Sequence, residues 1–198
     1  MNNQYQIIAI IGESASGKDT VLKKTVEKHP ELFHTIVSCT TRPKRDYEIN
    51  GIDYLFLTIE DFTKKVLNGE MLEATDFNNW FYGTAIDSLS KEKINIGVFN
   101  PAGVEALLED PRLNVEVVRV LCDDKTRLMR ALNREQSPNC EEICRRFFTD
   151  KKDFSNINFD YWILDNYKDT GSFALDLLCE SNSFTEWINE MKIKLNNE

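Results

Sequence analysis

A short apolar run, Ile7-Ile8-Ala9-Ile10-Ile11, leads directly into Gly12-Glu13-Ser14-Ala15-Ser16-Gly17-Lys18-Asp19-Thr20. Gly12 and Gly17 occupy the glycine positions of a G-x-x-x-x-G-K loop, where the backbone must curl with its N–H groups pointing inward at a polyphosphate. Lys18 then opens a helix whose N-terminal dipole and unpaired N–H groups favour an anion, and its ammonium can reach the β/γ-phosphates. The pattern requires a strand before it and a helix after it. Both are present, the helix carrying Val21, Leu22 and Val26 on one face. The bland alternative is a tight strand-to-helix turn with a surface lysine. One position departs from the pattern: a Ser or Thr usually follows the lysine, and here Asp19 does, with Thr20 behind it. Asp19 is therefore the candidate for the metal side of the chemistry, and residues 12–20 are expected to bind ATP.

This loop limits the chain to an α/β architecture, and the remaining patterning agrees. Apolar runs at 35–38, 94–99, 115–121 and 161–164 alternate in the second half with helical patterns at 102–109, 125–133 and 141–154. Such alternation predicts a parallel sheet with helices on both faces, and the near-continuous Val content of 115–121 suits a strand buried on both sides. Two further helical runs are expected at 173–179 and 184–195. At 198 residues the chain is read as one domain, with core segments 1–38 and 88–198.

Residues 39–87 break this rhythm. They are dense in aromatics (Tyr47, Tyr54, Phe56, Phe62, Phe77, Trp80, Phe81, Tyr82), with turn-forming Asn50-Gly51 and Asn78-Asn79. Thr58 caps a short helix running to Asn68, supported by Asp61 three residues on. Strand hairpins around one helix predict a small mixed α+β subdomain inserted into the core.

Composition excludes several function classes. The net charge of −9 argues against broad nucleic-acid or anionic-membrane binding, while leaving room for a nucleotide held by a few converging cations. No apolar stretch is long enough to cross a bilayer, and the polar start lacks a signal peptide's features, so a cytoplasmic protein is expected. The cysteines Cys39, Cys122, Cys140, Cys144 and Cys179 form no close C-x-x-C pair, which points to reduced thiols. Cys140 and Cys144 lack a matching ligand pair for zinc.

A second constellation follows the run at 35–38. Ser38-Cys39-Thr40-Thr41-Arg42-Pro43-Lys44-Arg45 lies at a strand end, where open α/β sheets bind ligands, and two arginines with nearby hydroxyls suit a terminal phosphate. Taken singly, each residue also has an ordinary reading: Tyr54 as core, Glu73 as a solvated helix-end carboxylate, Arg42 as part of a surface turn. Their joint spacing changes that.

Thr40 to Arg45, Glu48 to Phe56 and Tyr82-Gly83-Thr84 match T-T-R-x-x-R, E-x-x-G-x-D-Y-x-F and Y-G-[ST], and Asn68 to Glu73 match N-G-x-F-[IL]-E. Over residues 5–166 the chain resembles the guanylate kinases. The resemblance implies that Ser38, Arg42, Arg45, Tyr54 and Tyr82 hold a nucleoside monophosphate. It implies that Glu73 accepts from guanine N1–H and the exocyclic amine, and that Thr84 meets the O6 edge. A carboxylate facing two donors rejects adenine, which lacks that donor pair, by as much as ~10⁴-fold. ATP·Mg²⁺ and GMP or dGMP are the implied substrates, for a monomer or a homodimer.

Arg127, Arg130 and Arg134 share one helical face, and a loop at 135–139 leads to a helix bearing Arg145 and Arg146. By the same likeness, a helical lid at about 130–146 delivers Arg130, Arg134 and Arg146 to the transferring phosphoryl, joined by Lys18 and Arg42. Phosphoryl transfer needs positioning and positive charge more than covalent chemistry. Arg127 and Arg145 are expected to be solvated.

The chain departs from the family pattern at three places. The lid tip reads Asn133 to Pro138 without glycine. The acidic D-x-D-x-Q-G motif reads Val98-Phe99-Asn100-Pro101-Ala102-Gly103, leaving Asn100 to bond an arginine or the base but unable to hold magnesium strongly. The closing Y-D-Y-x-[IL]-x-N-D reads Asp160 to Asn166 with its final pair inverted. The loss of a carboxylate there and the gain of Asp19 beside Lys18 suggest that the magnesium ligand has moved. Two other functions fit: a kinase of this fold acting on another nucleotide or phosphorylated acceptor, and a non-catalytic interaction module binding a phosphopeptide. An intact ATP cradle weighs against the module.

Overall fold

The computed structural model describes residues 5–165, apart from 47, 78 and 135. The helical runs expected at 173–179 and 184–195, together with Asn166 and Cys179, lie outside the described residues. The described chain runs β1 (Tyr5–Ile11), α1 (Lys18–Lys28), β2 (Phe33–Thr35), β3 (Cys39–Thr40), β4 (Leu55–Phe56), α2 (Ile59–Leu67), β5 (Met71–Phe77), β6 (Trp80–Ala85), β7 (Ile94–Val98), α3 (Pro101–Glu109), β8 (Leu113–Leu121), α4 (Asp124–Asn133), α5 (Cys140–Asp153) and β9 (Trp162–Asp165).

Five strands form a parallel sheet in the order β2-β7-β1-β8-β9. Every residue of β1 is buried, as a central strand covered on both faces requires. The pleat divides its side chains. Ile8 and Ile10 pack with Val21 of α1 and with Ile94, Ile96, Val118 and Val120, while Ile7, Ala9 and Ile11 pack with Val104 and Leu107 of α3. With α1 on one face and α3 on the other, the core has three layers.

The second sheet is mixed, in the order β4-β3-β6-β5, with β3 parallel to β4 and antiparallel to β6. Helix α2 covers it through Phe62. Its N-cap is built as the sequence predicts: Thr58 Oγ1 accepts the Asp61 N–H at 3.0 Å and donates to the Asp61 carboxylate at 2.7 Å.

The strand expected at 35–38 lies elsewhere. Phe33–Thr35 pairs with β7, and the chain then crosses to the second sheet, where Cys39–Thr40 begins anew. Residues 36–38 serve both sheets: the Ile36 N–H bonds Ile96 O at 2.9 Å, and Ser38 O accepts from the Leu55 N–H at 2.9 Å. This crossing carries the chain from the core sheet directly into the segment that bears Ser38 and Arg42. The other elements lie within two residues of their expected bounds.

Candidate active site

The loop after β1 has the shape its glycines permit. A Cβ on Gly12 would lie 2.7 Å from Ser16 Oγ and 2.8 Å from Val120 O, so no side chain fits where the loop closes against β8. Gly17, at φ 97°, caps α1 from the left-handed region. Ala15 also has a positive φ, 61°, which costs a non-glycine residue about 1 kcal/mol. Lys18 Nζ stands 4.0 Å from Asp19 Oδ2; the lysine is mostly covered and the aspartate is 77 % exposed. Ser14, Lys18, Asp19, Arg134, Glu142 and Arg146 line one cleft of about 230 Å³ between this loop and the helices α4 and α5. The cleft therefore unites four of the residues expected to bind ATP with two of the three expected lid arginines.

Arg146 and Arg145 both donate to Glu142, at 2.7 Å each through Nε. Those two guanidiniums, Arg145 foremost, lower the Glu142 carboxyl to a pKa of about 2, so it remains ionised and offsets positive charge inside the cleft. Arg130 is placed differently. Its guanidinium donates to Ser16 O at 3.3 Å and to Cys122 Sγ at 3.4 Å, against the backbone of the loop.

One expectation is corrected here. Arg127 is not solvated: its side chain is 3 % exposed. It donates from Nε to Ser14 O at 2.9 Å, from Nη1 to Asp124 at 2.8 Å and from Nη2 to Asp150 at 2.6 Å. The face that α4 presents at this position meets the loop and α5, and a guanidinium buried with full pairing is tolerated there. Glu13 also differs from its neighbours, because its carboxylate turns away from the cradle and bonds Arg119 of β8 at 3.0 Å.

Across the second sheet, Arg42 is 9 % exposed and forms a two-pronged pair with Glu48, at 2.6 and 3.1 Å. The Glu48 hydrogen bond leads the upward shift of the Arg42 guanidinium, and the same pairing lowers the Glu48 carboxyl. Arg42 also lies 5.7 Å from the centre of the Tyr54 ring, and Tyr82, whose ring is 6.1 Å from that of Tyr54, adds to the upward shift of the guanidinium. Arg45 contributes its backbone N–H to Glu48 at 2.8 Å, leaving its guanidinium 57 % exposed. Burial, followed by the Tyr82 charge, raises the Tyr54 phenol; Arg42 opposes this shift and the Asp19 carboxylate adds to it.

Glu73 on β5 accepts from Thr84 Oγ1 at 2.8 Å, and Thr84 lies 3.5 Å from Ser38 Oγ. Burial raises the Glu73 carboxyl, opposed by the Thr84 hydroxyl. Asn100 caps α3, its Oδ1 accepting from the Gly103 N–H at 2.7 Å, so this part of the amide is already engaged. A Cβ on Gly103 would come 3.8 Å from Glu73 Cγ, which sets the start of α3 beside that carboxylate.

Three residues important to this arrangement have no role in the sequence reading. Glu48 stands six residues from Arg42, within the matched motif, but was given no partner there. Arg119 and Asp150 were not legible, because their partners lie far away in the chain. Among the described residues, no three His, Cys, Asp or Glu side chains converge as a metal site. None of the described helices is long and apolar enough to cross a membrane.

A guanylate kinase family model matches residues 4–181. A guanylate kinase of Thermosynechococcus vestitus is 43 % identical over 79 residues, covering 40 % of this chain and 41 % of that protein. One of a Synechococcus species is 31 % identical over 141 residues, covering 71 % of this chain and 59 % of that one. The matched region thus spans less than two thirds of either relative. Among solved structures, guanylate kinase from Anaplasma phagocytophilum superposes with a TM-score of 0.59 at 19 % identity over 89 % of this chain and 86 % of that one, a likeness of fold.

Proposed function

The chain belongs to the guanylate kinase family, and on that premise we propose that it transfers the γ-phosphoryl of ATP to GMP or dGMP, giving ADP and the diphosphate. The observation that carries this reading is the cleft in which Ser14, Lys18 and Asp19 of the loop meet Arg134 and Arg146. The second sheet carries the Arg42–Glu48 fork beside the rings of Tyr54 and Tyr82. Lys18 and the N-terminus of α1 would bind the β- and γ-phosphates. Arg42, Arg45, Ser38, Tyr54 and Tyr82 would hold the acceptor phosphate, with Glu48 fixing the Arg42 fork. Arg134 and Arg146 would bring charge to the transferring group, with Arg130 supporting the loop from its backbone side. A reaction of this kind belongs in the cytoplasm.

The donor set suits Mg²⁺. Asp19 offers an exposed carboxylate in the donor cleft, and this ion is commonly held by one or two carboxylates together with the phosphates themselves. Asp19 would hold it, and the ion would neutralise charge on the β- and γ-phosphate oxygens.

ADP release measured across a panel of nucleoside monophosphates tests the reading. Turnover with GMP or dGMP well above AMP, CMP and UMP is the expected result. Turnover confined to another acceptor reassigns the substrate, and no ADP with any acceptor favours the interaction module.

Glu73 adds a pH signature. As an acceptor for guanine N1–H and the exocyclic amine, it must be ionised, and its carboxyl is raised by burial. The folded protein therefore takes up this proton more readily than the unfolded chain does. Glu73 contributes stability at low pH that is lost as pH rises through its raised pKa, whereas GMP affinity runs the other way. KM for GMP should climb as pH falls through that raised value, with KM for ATP little changed. A Glu73→Gln variant, which cannot titrate, should lose this pH dependence, and steady-state kinetics at stepped pH check both statements.

A further inference from the structure

The strained turn at Ala15 needs something to hold it, because a left-handed non-glycine residue persists only where its surroundings over-determine the backbone. The preceding residue is gripped on both sides. The Ser14 N–H donates to Asp150 Oδ2 at 2.8 Å and its hydroxyl to Oδ1 at 3.2 Å, while Ser14 O accepts from Arg127 Nε at 2.9 Å. That carbonyl belongs to the peptide plane that enters Ala15, so the guanidinium fixes the plane about which Ala15 turns.

Arg127 and Asp150 also grip each other at 2.6 Å, and Arg127 is anchored further by Asp124 at 2.8 Å and by the face of Phe147, 4.5 Å from the ring centre. Both side chains are well covered, at 3 % and 13 % exposure, so water competes little for these bonds. Asp150 and Arg146 are four residues apart on α5 and share a face. The contact that ties α5 to the loop therefore also sets where Arg146 enters the cleft.

We propose that Arg127 and Asp150 are positioning residues for the phosphate loop. They hold the Ser14–Ala15 turn so that the N–H groups after it face the triphosphate, and they dock the α4–α5 pair on the donor side. This rests on the reading of the loop as the ATP site, and its test uses binding alone, so a failure of GMP phosphorylation leaves it standing.

Calorimetric titrations with ATP, with inorganic tripolyphosphate and with GMP are made on the full chain. Asp150→Asn keeps the shape, removes the charge and cannot serve all three donors. It should weaken ATP and tripolyphosphate binding by about ten- to a hundredfold while GMP binding stays within about twofold. The discriminating variant is Ala15→Gly/Asp150→Asn. Glycine reaches the left-handed region at no steric cost, so this double substitution should recover most of the lost phosphate affinity. If Asp150→Asn does not yield folded protein, Asp150→Glu is measured in the same way, alone and with Ala15→Gly. Unchanged ATP binding, equal losses for ATP and GMP, or no recovery with glycine at position 15 would each overturn the proposal.

Discussion

Lys18→Ala is expected to lower kcat/KM for ATP by about 10³-fold with almost no change in melting temperature. The magnitude follows from the type of catalysis. Where positioning and preorganised charge supply most of the rate, deleting one donor aimed at the developing charge costs about 4 kcal/mol. The small structural cost follows from the geometry. The ammonium stands 4.0 Å from the Asp19 carboxylate, a separation and exposure at which ion pairs contribute little stability. The loop closure depends instead on Gly12, Gly17 and the bonds Ser16 N–Glu13 O and Val21 N–Gly17 O, which the substitution leaves in place. Coupled measurement of ADP release, alongside thermal unfolding, checks the pair of statements. A loss smaller than tenfold would place Lys18 away from the transferring phosphoryl. A loss matched by a large drop in melting temperature would make it a structural residue.

The loop was legible in the sequence because its chemistry is local. Two glycines, a lysine and the flanking periodicities lie within about twenty residues, and each has a backbone reason to be where it is. The same holds for Thr58 and Asp61, whose capping pair spans three residues. Strand β8 could be read from its Val content because burial on both faces removes the polar alternation. Residues 36–38 misled for a different reason. Their apolar character reports burial, and Ile36 is buried, but burial does not reveal that the backbone is leaving one sheet for another. Arg127 shows the firmer limit. Helical spacing says which residues share a face, not what that face meets, and the partners of Arg127 are 23 residues away at Asp150 and 113 away at Ser14. Only the tertiary fold turns an arginine that reads as solvated into one of the best-paired groups in the molecule.

Asp19→Ala is expected to abolish Mg²⁺-dependent turnover while GMP binding persists. Asp19 is the one loop residue whose chemistry contradicts its setting, since a carboxylate beside a triphosphate cradle repels the ligand unless a cation lies between them. Its position explains why such a residue is tolerated. It lies in the first turn of α1, where a negative charge is stabilised by the helix dipole, and it remains exposed enough to keep its hydration when no metal is present. Asn100, at the place where the family carries acidic residues, is committed through Oδ1 to capping α3 and brings no charge. If Asp19 holds the metal as proposed, the metal-binding charge has moved from the end of β7 to the start of α1. Binding gives a readout independent of turnover. In wild type, Mg²⁺ should tighten ATP binding strongly. In Asp19→Ala that enhancement should largely disappear, and metal-free ATP should bind modestly more tightly than in wild type, because one repulsive charge is gone. Calorimetric titration of ATP with and without Mg²⁺ resolves the crossing. Parallel behaviour of the two proteins, or unchanged turnover in the variant, would return the metal to ligands other than Asp19.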